Sequence, residues 1–215
     1  EMERIVAEFD AVYVAIGAQG GKTLKIDGAE NEGVMSAVAL LEKIGDGIHP
    51  DFTGKKVVVI GGGNVAMDCA RTSVRAGADS VTIVYRRRLE DMTALPEEVE
   101  SAIAEGVEML TLQAPVRIEA DAEGKADALV VQPQRIGPVR RGRPAPVAAD
   151  KPEQRIEADV ILIAVGQDVV SAPFEEFGMP AEKACFVADE FLRSKGHGGI
   201  FVGGDCQTGP KTVVM

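Results

Sequence analysis

Cysteine and histidine are scarce in this 215-residue chain, and their spacing excludes several kinds of site. No two of the three cysteines, Cys69, Cys185 and Cys206, have C-x-x-C spacing, so a redox dithiol, a zinc knuckle and an iron–sulfur ligand run are not encoded. We expect these isolated thiols to be buried packing residues. The two histidines, His49 and His197, adjoin a proline and glycines without a metal-ligand partner nearby, so no metal site is predicted.

Long hydrophobic runs and excess positive charge are also missing. No apolar run reaches the roughly 18 residues that a membrane helix needs, and the first residues are too polar and acidic for a signal peptide. The formal net charge of −11 disfavours nucleic acid and anionic membranes as partners. We therefore expect a cytoplasmic protein. Because the chain opens just ahead of a strand and stops in an apolar run at 213–215, we also expect a fragment of a longer protein.

Apolar residues make up 46% of the chain, which is enough for a sizeable core, and they follow alternating strand and helix patterns. Short apolar runs predict strands at 9–16, 57–60, 81–85, 160–165 and 199–202. Helical spacing predicts helices at 35–44, 64–76 and 96–105. Strand-like segments follow at 107–112, 115–119 and 126–132, then a Pro-, Gly- and Arg-rich loop or hairpin tip at 137–155 and an irregular stretch at 171–199. This order predicts an α/β fold: a Rossmann-like dinucleotide-binding domain with a parallel sheet of doubly wound type and an added antiparallel β-meander.

The strongest chemical signal is the motif Gly61-Gly62-Gly63-Asn64-Val65-Ala66, which fits G-x-G-x-x-A. It follows one predicted strand and opens a predicted helix, which is the context of a dinucleotide-binding turn. Gly61 would permit the tight turn, and Gly63 would let a pyrophosphate approach the N–H groups of the helix N-terminus. We predict that Gly61, Gly63, Asn64, Val65 and Ala66 bind a cofactor.

Small residues recur along one side of the predicted helix at 64–76. Ala66, Ala70, Ser73 and Gly77 fall at i, i+4, i+7 and i+11. Such a stripe is what close packing of a helix on a sheet requires. It therefore supports the same interpretation of the glycine motif independently.

Three arginines, Arg86, Arg87 and Arg88, directly follow the strand at 81–85. In an NAD site, a carboxylate at this position accepts hydrogen bonds from the ribose 2′-hydroxyl. A guanidinium can instead bind the 2′-phosphate of NADP through paired hydrogen bonds. We predict an NADPH site and favour Arg86 and Arg87 as its phosphate ligands, because they come first after the strand. A solvated turn is the alternative, since charge runs usually form one.

Two apolar strands end in the same Ala-x-Gly pattern. These are Ala15-Ile16-Gly17 and Ala164-Val165-Gly166. Periodicity alone does not distinguish this repetition from two ordinary buried strands.

Several of these segments together resemble a known family. The glycine motif extended to Met67-Asp68, then Tyr85-Arg86-Arg87, then Glu98-Val99-Glu100 ahead of Glu105-Gly106-Val107, are similar to the small (beta) subunit of NADPH-dependent glutamate synthase. The wider family is that of FAD/NAD(P)-dependent pyridine nucleotide-disulfide oxidoreductases. It includes the NADP-binding subunit of a ferredoxin-coupled transhydrogenase and domains of dihydropyrimidine dehydrogenase. Gly203-Gly204-Asp205-Cys206 with Thr208-Gly209-Pro210 resembles the family's flavin-contacting signature.

The resemblance implies two interleaved domains and two cofactors. Residues 55–170 would form the NADPH-binding domain, and residues 1–54 and 171–215 would be partial segments of the FAD domain. Gly166 would lie at a crossing between them, and Gly204 and Asp205 would contact FAD. Hydride would pass from NADPH to FAD, and electrons would leave through a larger flavoprotein or iron–sulfur partner subunit.

Two features of the family are missing from this sequence: the first glycine fingerprint, which binds FAD, and the N-terminal cluster cysteines. We therefore expect FAD to be held by the full-length protein and to be weak or absent in this chain. No side chain is needed as a general acid or base, since hydride transfer is the chemistry of the cofactors. No catalytic residue is therefore named.

Other protein classes fit less well. A disulfide reductase of the thioredoxin-reductase type needs a C-x-x-C, and a short-chain dehydrogenase needs Tyr-x-x-x-Lys; neither is present. A methyltransferase that uses S-adenosylmethionine favours an acidic residue where this chain has arginines. A nucleotide-binding or partner-docking module without chemistry of its own remains open.

Overall fold

A computed structural model describes residues 2–140 and 142–210 of the chain. The described residues divide into two compact units. One is continuous in sequence, residues 21–166, and is called the continuous unit. The other, called the split unit, is made of the described residues before Gly21 and after Gly166.

Six α-helices occur in the described residues: α1 (Met2–Glu8), α2 (Ala37–Gly45), α3 (Asn64–Arg75), α4 (Pro96–Ala104), α5 (Ala172–Glu176) and α6 (Asp205–Thr208). The strands of the continuous unit, apart from the two-residue strand at its edge, are β3 (Val34–Ser36), β4 (Lys56–Ile60), β5 (Ser80–Tyr85), β6 (Glu108–Thr111), β7 (Gln113–Ala120), β8 (Ala126–Arg140), β9 (Arg143–Ala148), β10 (Gln154–Glu157) and β11 (Val160–Ile163). The remaining strands are short: β1 (Val12–Val14), β2 (Gly20–Gly21), β12 (Gln167–Asp168), β13 (Ala181–Glu182), β14 (Cys185–Phe186) and β15 (Ile200–Val202).

A five-stranded parallel sheet forms the centre of the continuous unit, with the strand order β3-β11-β4-β5-β6. Successive side chains of a strand point to opposite faces of a sheet. Val57, Val59 and Leu162 therefore belong to a core shared with α2, α3 and α4. Val58 and Ile161 belong to a second core on the other face.

An antiparallel sheet covers that second face. Strands β10, β8 and β7 lie side by side, and β9 also pairs with β8. Ile118 of β7 and Leu129 and Val131 of β8 pack against Val58 and Ile161. The helices thus lie on one face only, because the antiparallel sheet occupies the face that a doubly wound fold would give to helices.

The predicted α/β class with a parallel sheet and an added antiparallel part is confirmed. The segment at 137–155, predicted as a loop or hairpin tip, contains a hairpin whose strands extend further than expected, because β8 continues to Arg140 and returns as β9. Pro144 and Pro146 lie in β9, whose pairing among the described residues is with β8 alone. Proline cannot donate to a ladder and is tolerated in such an edge strand.

The two compact units have other bounds than the predicted domains, which are defined by the cofactor that each would bind and stay a prediction. The continuous unit begins at Gly21, not at residue 55, because β3 adds an edge strand to the parallel sheet. Met35, predicted to begin a helix, lies in β3, and α2 begins at Ala37. The unit ends at Gly166 rather than at residue 170. The assignment of the units to NADPH and FAD stays a prediction.

The split unit joins two distant parts of the chain. Strands β1 and β15 pair in parallel, with Val12 opposite Ile200 and Val14 opposite Val202. Val14, Ile200 and Val202 pack with Met179 and the fully buried Phe186 in a core of their own. This unit also contains α1, which the sequence patterns did not predict.

Candidate functional site

The glycine turn lies between the end of β4 and the start of α3, as predicted. Gly61 has φ 153°, and a Cβ atom there would lie 2.3 Å from the carbonyl oxygen of Ala164, which follows β11. Its N–H donates to the carbonyl oxygen of Val84 in β5 at 3.1 Å. Gly61 is therefore enclosed between the carboxyl ends of two neighbouring strands, and only glycine fits there.

Gly62, which the sequence did not single out, is enclosed by an aromatic ring. A Cβ atom at Gly62 would lie 2.7 Å from the Cδ2 and Cε2 atoms of Tyr85. The carbonyl oxygen of Gly62 accepts hydrogen bonds from the N–H groups of Thr93 and Ala94 at 2.8 and 3.1 Å. The Tyr85 hydroxyl donates to the carbonyl oxygen of Asp91 at 2.9 Å. The turn and the loop at residues 86–95 are thus joined into one structure.

Gly63 differs from its two neighbours because its α-carbon faces open space. A Cβ atom at Gly63 would have one near neighbour, Oγ1 of Thr93, at 3.4 Å. The carbonyl oxygen of Gly63 accepts from the N–H groups of Ala66 and Met67. The first N–H groups of a helix have no acceptor inside it, and they favour an anion. The start of α3 therefore has the room and the free donors that a phosphate site needs.

The remaining motif residues have mainly structural contacts. Oδ1 of Asn64 accepts a hydrogen bond from the N–H of Leu95 at 2.9 Å, which fixes the loop ahead of α4. Val65 is half-buried against the core on the helical face, and Ala66 is fully buried in it. Their predicted part in cofactor binding would therefore come from the backbone rather than from the side chains.

The stripe of small residues on α3 packs as predicted, apart from its last member. Ala66, Ala70 and Ser73 are all completely buried. Gly77 lies beyond the helix with φ 86°, and its N–H donates to the carbonyl oxygen of Val74. Gly77 is therefore a helix terminator, since glycine adopts this conformation without strain.

The three arginines after β5 have different environments. Arg86 is exposed and makes no hydrogen bond or ion pair with the described residues. Nε of Arg87 lies 3.4 Å from the carbonyl oxygen of Pro144 in β9. Arg88 is held by Asp91 through Nε and Nη2, at 2.8 and 3.1 Å, and it also pairs with Glu90.

The Arg88 pair has an electrostatic consequence. The hydrogen bond from Arg88 holds the pKa of Asp91 below its ordinary value, so that carboxylate stays charged. The charge of Arg88 is thereby compensated within the loop. This geometry agrees with the prediction that Arg86 and Arg87, rather than Arg88, are free to bind a phosphate, but no ligand contact tests it.

The predicted flavin-contacting residues lie in the split unit. A Cβ atom at Gly203 would lie 2.1 Å from the hydroxyl oxygen of Tyr13, so a side chain there would displace the exposed Tyr13 ring. Gly204 has φ 70° and precedes Asp205, the first residue of α6. Sγ of the buried Cys206 lies 3.1 Å from the carbonyl oxygen of Gly203. The signature thus forms a tight turn at the carboxyl end of β15.

Both Ala-x-Gly patterns end in a glycine with positive φ. The angle is 69° at Gly17 and 121° at Gly166. The carbonyl oxygen of Gly166 accepts a hydrogen bond from the N–H of Lys22 at 3.1 Å, so the two ends of the continuous unit meet. The likeness of the two segments therefore includes the same backbone requirement at the end of each strand.

The described residues give little support for a metal site or a reactive thiol. No three side chains of His, Cys, Asp or Glu there are grouped closely enough to hold a metal ion. Cys69 and Cys206 are buried as expected, whereas Cys185 is half-buried. Burial raises the pKa of the Cys69 thiol to about 12, which suppresses its reactivity. In residues 2–140 and 142–210, every helix falls short of the length and apolar character that a membrane crossing requires.

A glycine turn at the carboxyl edge of a parallel sheet defines the chain as a Rossmann-like α/β protein. The chain belongs to the pyridine nucleotide-disulphide oxidoreductase family, whose pattern it matches over residues 3–215. The predicted family resemblance is therefore confirmed.

Two curated relatives and one solved structure illustrate the match. The chain is 34% identical to the glutamate synthase [NADPH] small chain of Halomonas elongata, over 99% of its own length and 48% of the relative. It is 31% identical to the NADP(+)-dependent formate dehydrogenase subunit beta of Moorella thermoacetica, over 99% of its length and 30% of the relative. The chain thus spans half or less of these two proteins.

The fold is similar to that of Mycobacterium tuberculosis FprA in complex with NADPH. The TM-score is 0.77 at 21% identity, and the match covers 99% of this chain and 61% of that one. At this identity the comparison concerns the fold alone.

Proposed function

We propose that this chain is the NADPH-binding portion of a flavin-dependent oxidoreductase similar to the glutamate synthase small subunit. The observation that carries the proposal is the open backbone at Gly63, which lies beside the free N–H groups of α3 and follows the sterically closed turn at Gly61 and Gly62. A pyrophosphate would be bound there by backbone donors and by the positive end of the helix.

The choice of NADPH over NADH rests on the residues after β5. No carboxylate follows this strand directly, and Arg86 and Arg87 keep donors that the described part of the chain does not use. A guanidinium binds a phosphate dianion with two parallel hydrogen bonds. The 2′-phosphate of NADPH is therefore the group that these two side chains would recognise.

With both cofactors bound, the nicotinamide would supply a hydride and the flavin would accept it. The part of this chain would be to bind and orient the nucleotide, through the turn at 61–63 and the arginines after β5. This proposal needs no acid or base from the chain. The names of the two curated relatives call them a small chain and a subunit beta. In line with those names, the proposal includes a partner subunit, which we expect to be a larger flavoprotein or an iron–sulfur protein. The cytoplasmic location expected from the sequence is kept as part of the proposal.

Flavin is expected to bind poorly to this chain by itself. The split unit contains the turn at Gly204 and Asp205. Neither of its two parallel strands, however, is followed by a second G-x-G-x-x-A motif that leads into a helix. We expect the purified chain to contain less than stoichiometric FAD and to gain little on titration with FAD, as measured by visible absorbance. Tight one-to-one binding of FAD would contradict this expectation.

The test of the proposed function is calorimetric titration of the chain with NADP⁺ and with NAD⁺. We expect NADP⁺ to bind more tightly, and this preference to disappear in Arg86→Ala/Arg87→Ala. Each charge-assisted contact that is lost should cost about 1.5–3 kcal/mol. NAD⁺ affinity should change little, because it has no 2′-phosphate.

A matched control removes two positive charges at the opposite end of the parallel strands from the glycine turn. Lys43 lies in the last turn of α2, and Lys55 precedes β4. Both are exposed, and Lys43→Ala/Lys55→Ala should keep the NADP⁺ preference. If neither nucleotide binds the unaltered chain, the glycine turn is structural here and the proposal fails. If the nucleotide binds but the full-length protein does not reduce its flavin with NADPH, the chain is a binding module.

A further inference from the structure

A shallow, open surface pocket lies beside the arginine turn, within the continuous unit. One wall is the segment after β5, with Arg87, Arg88 and Asp91. The facing wall is the hairpin formed by β8 and β9, which contributes Arg135 and Ile136 among others. The pocket therefore brings a hairpin residue to Arg87, one of the two side chains predicted to bind phosphate, while Arg86 is not among its lining residues.

The pocket has an excess of positive charge in a strongly acidic chain. Three guanidinium groups line it, and Asp91 is the one carboxylate among the lining residues. Asp91 is already paired with Arg88. The guanidinium of Arg135 makes no hydrogen bond or ion pair with the described residues. The guanidinium of Arg87 makes one 3.4 Å contact through Nε and is attracted by Asp91, which it shares with Arg88. Positive charge on the lining side chains therefore exceeds the negative charge, and Arg135 is the guanidinium without a partner among the described residues.

Leu112 holds the two walls of the pocket together. Its φ of 56° is unusual for a residue other than glycine. Its N–H donates to the carbonyl oxygen of Arg87 at 3.0 Å, and its own carbonyl oxygen accepts from the N–H of Gln134 at 2.7 Å. Backbone strain of this kind persists where surrounding contacts maintain it, often at functional sites. One strained residue therefore links the backbone of Arg87 to the backbone of the hairpin next to Arg135.

The remaining lining residues are apolar. They include Leu112, Pro144, Pro146 and Ile136, and the last of these is 50% exposed. Apolar walls reduce the water around a charge pair and so strengthen the attraction between its members. A phosphate bound between the two walls would therefore be partly shielded from water by these apolar side chains.

We propose that Arg135 is a specificity-determining residue, which binds the 2′-phosphate of the nucleotide together with Arg87. This inference rests on the proposed function and adds a third guanidinium, from the antiparallel sheet, to the pair that follows β5. The ligand chemistry is a phosphate monoester on the ribose of an adenine nucleotide. The hairpin would then be part of the nucleotide site as well as a cover for the sheet.

The experiment compares Arg135→Ala, Arg135→Lys and Arg140→Ala in the complete 215-residue chain. The probes are 2′,5′-ADP, which carries the phosphate monoester, and 5′-AMP, which lacks it. We expect Arg135→Ala to weaken 2′,5′-ADP binding about tenfold or more and to leave 5′-AMP binding unchanged. Arg135→Lys should be intermediate, because lysine cannot form the bidentate contact. Arg140→Ala removes an exposed charge from the same hairpin and should have less than about a twofold effect.

The outcomes separate this inference from the function on which it rests. If Arg135→Ala binds 2′,5′-ADP normally while Arg86→Ala/Arg87→Ala does not, the role of Arg135 is refuted and the proposed function stands. Equal losses in Arg135→Ala and Arg140→Ala would also refute it, since they indicate a general effect of charge. If the unaltered chain does not prefer 2′,5′-ADP to 5′-AMP, the NADPH site itself is refuted. Circular dichroism of each variant checks that it is folded.

Discussion

Replacing Gly61 by alanine should lower the free energy of unfolding of the chain by about 3–4 kcal/mol. The new Cβ atom would lie 2.3 Å from the carbonyl oxygen of Ala164, and backbone atoms cannot move aside as the end of a side chain can. The φ of 153° adds strain for any residue with a side chain. Because Gly61 joins the ends of two strands, the damage should extend to the centre of the sheet.

Gly63→Ala is the matched comparison, and it should affect binding instead of stability. Its φ of −105° suits alanine, and its Cβ position has only Thr93 Oγ1 nearby, at 3.4 Å. We expect the free energy of unfolding to fall by no more than about 1 kcal/mol, the cost of alanine at a helix N-cap. The affinity for NADP⁺ should fall about tenfold or more, because the methyl group occupies the space through which the pyrophosphate approaches the backbone.

Urea denaturation and calorimetric titration of the two variants measure these opposite effects. A Gly61→Ala chain as stable as the unaltered one would show that the turn can relax and that our account of it is wrong. A Gly63→Ala chain with unchanged NADP⁺ affinity would mean that the nucleotide does not approach the turn. Both variants add the same methyl group within a single turn, so a difference between them reflects the position of the methyl group and not its size.

Leu129→Ala should destabilise the chain by about 2–5 kcal/mol. Leu129 lies in β8, is completely buried, and packs between the two sheets with Val58 and Ile161. Removing most of this side chain leaves a cavity between the two sheets. Each sheet is held by its own hydrogen-bonded ladder and cannot move enough to fill this cavity. The antiparallel sheet is therefore expected to be part of the core of the continuous unit rather than an appendage.

Val139→Ala is the control, because Val139 lies in the same strand and is 69% exposed. We expect a change within about 0.5 kcal/mol. Thermal and urea unfolding of both variants provide the measurement, with the two-state character of the transitions checked by two spectroscopic probes. Equal effects of the two substitutions would refute the idea that the packing between the sheets carries this stability.

The sequence predicted the elements whose signals are local. Val57 to Ile60 is a run of β-branched residues, and the glycines that follow it mark a turn without reference to the rest of the chain. The burial of Ala66, Ala70 and Ser73 was also predictable, because their spacing places them on one side of a helix. These features specify the candidate site up to the start of α3.

A loop or hairpin tip was predicted at 137–155, but the length of the hairpin strands was not, because the sequence signals conflict. Pro144 and Pro146 argue against a strand, yet they are tolerated in β9, which has one pairing partner among the described residues. The contact of Asn64 with Leu95, 31 positions later in the chain, and the approach of Arg135 to Arg87 depend on tertiary structure. Residue patterns within a short window contain no information about such distances.

The hydrogen bond from Lys22 to Gly166 has a consequence for the order of folding. It joins the first and last residues of a long stretch of chain, and it lies within the unit that this stretch forms. Pairing Val12 with Ile200 in an otherwise unfolded chain would require closing that entire loop, at an entropic cost on the order of 4 kcal/mol. Once the stretch has folded, its ends are already together, so the loop that remains to be closed is much shorter and this cost falls. We therefore expect β1 and β15 to assemble more readily after residues 21–166 have folded.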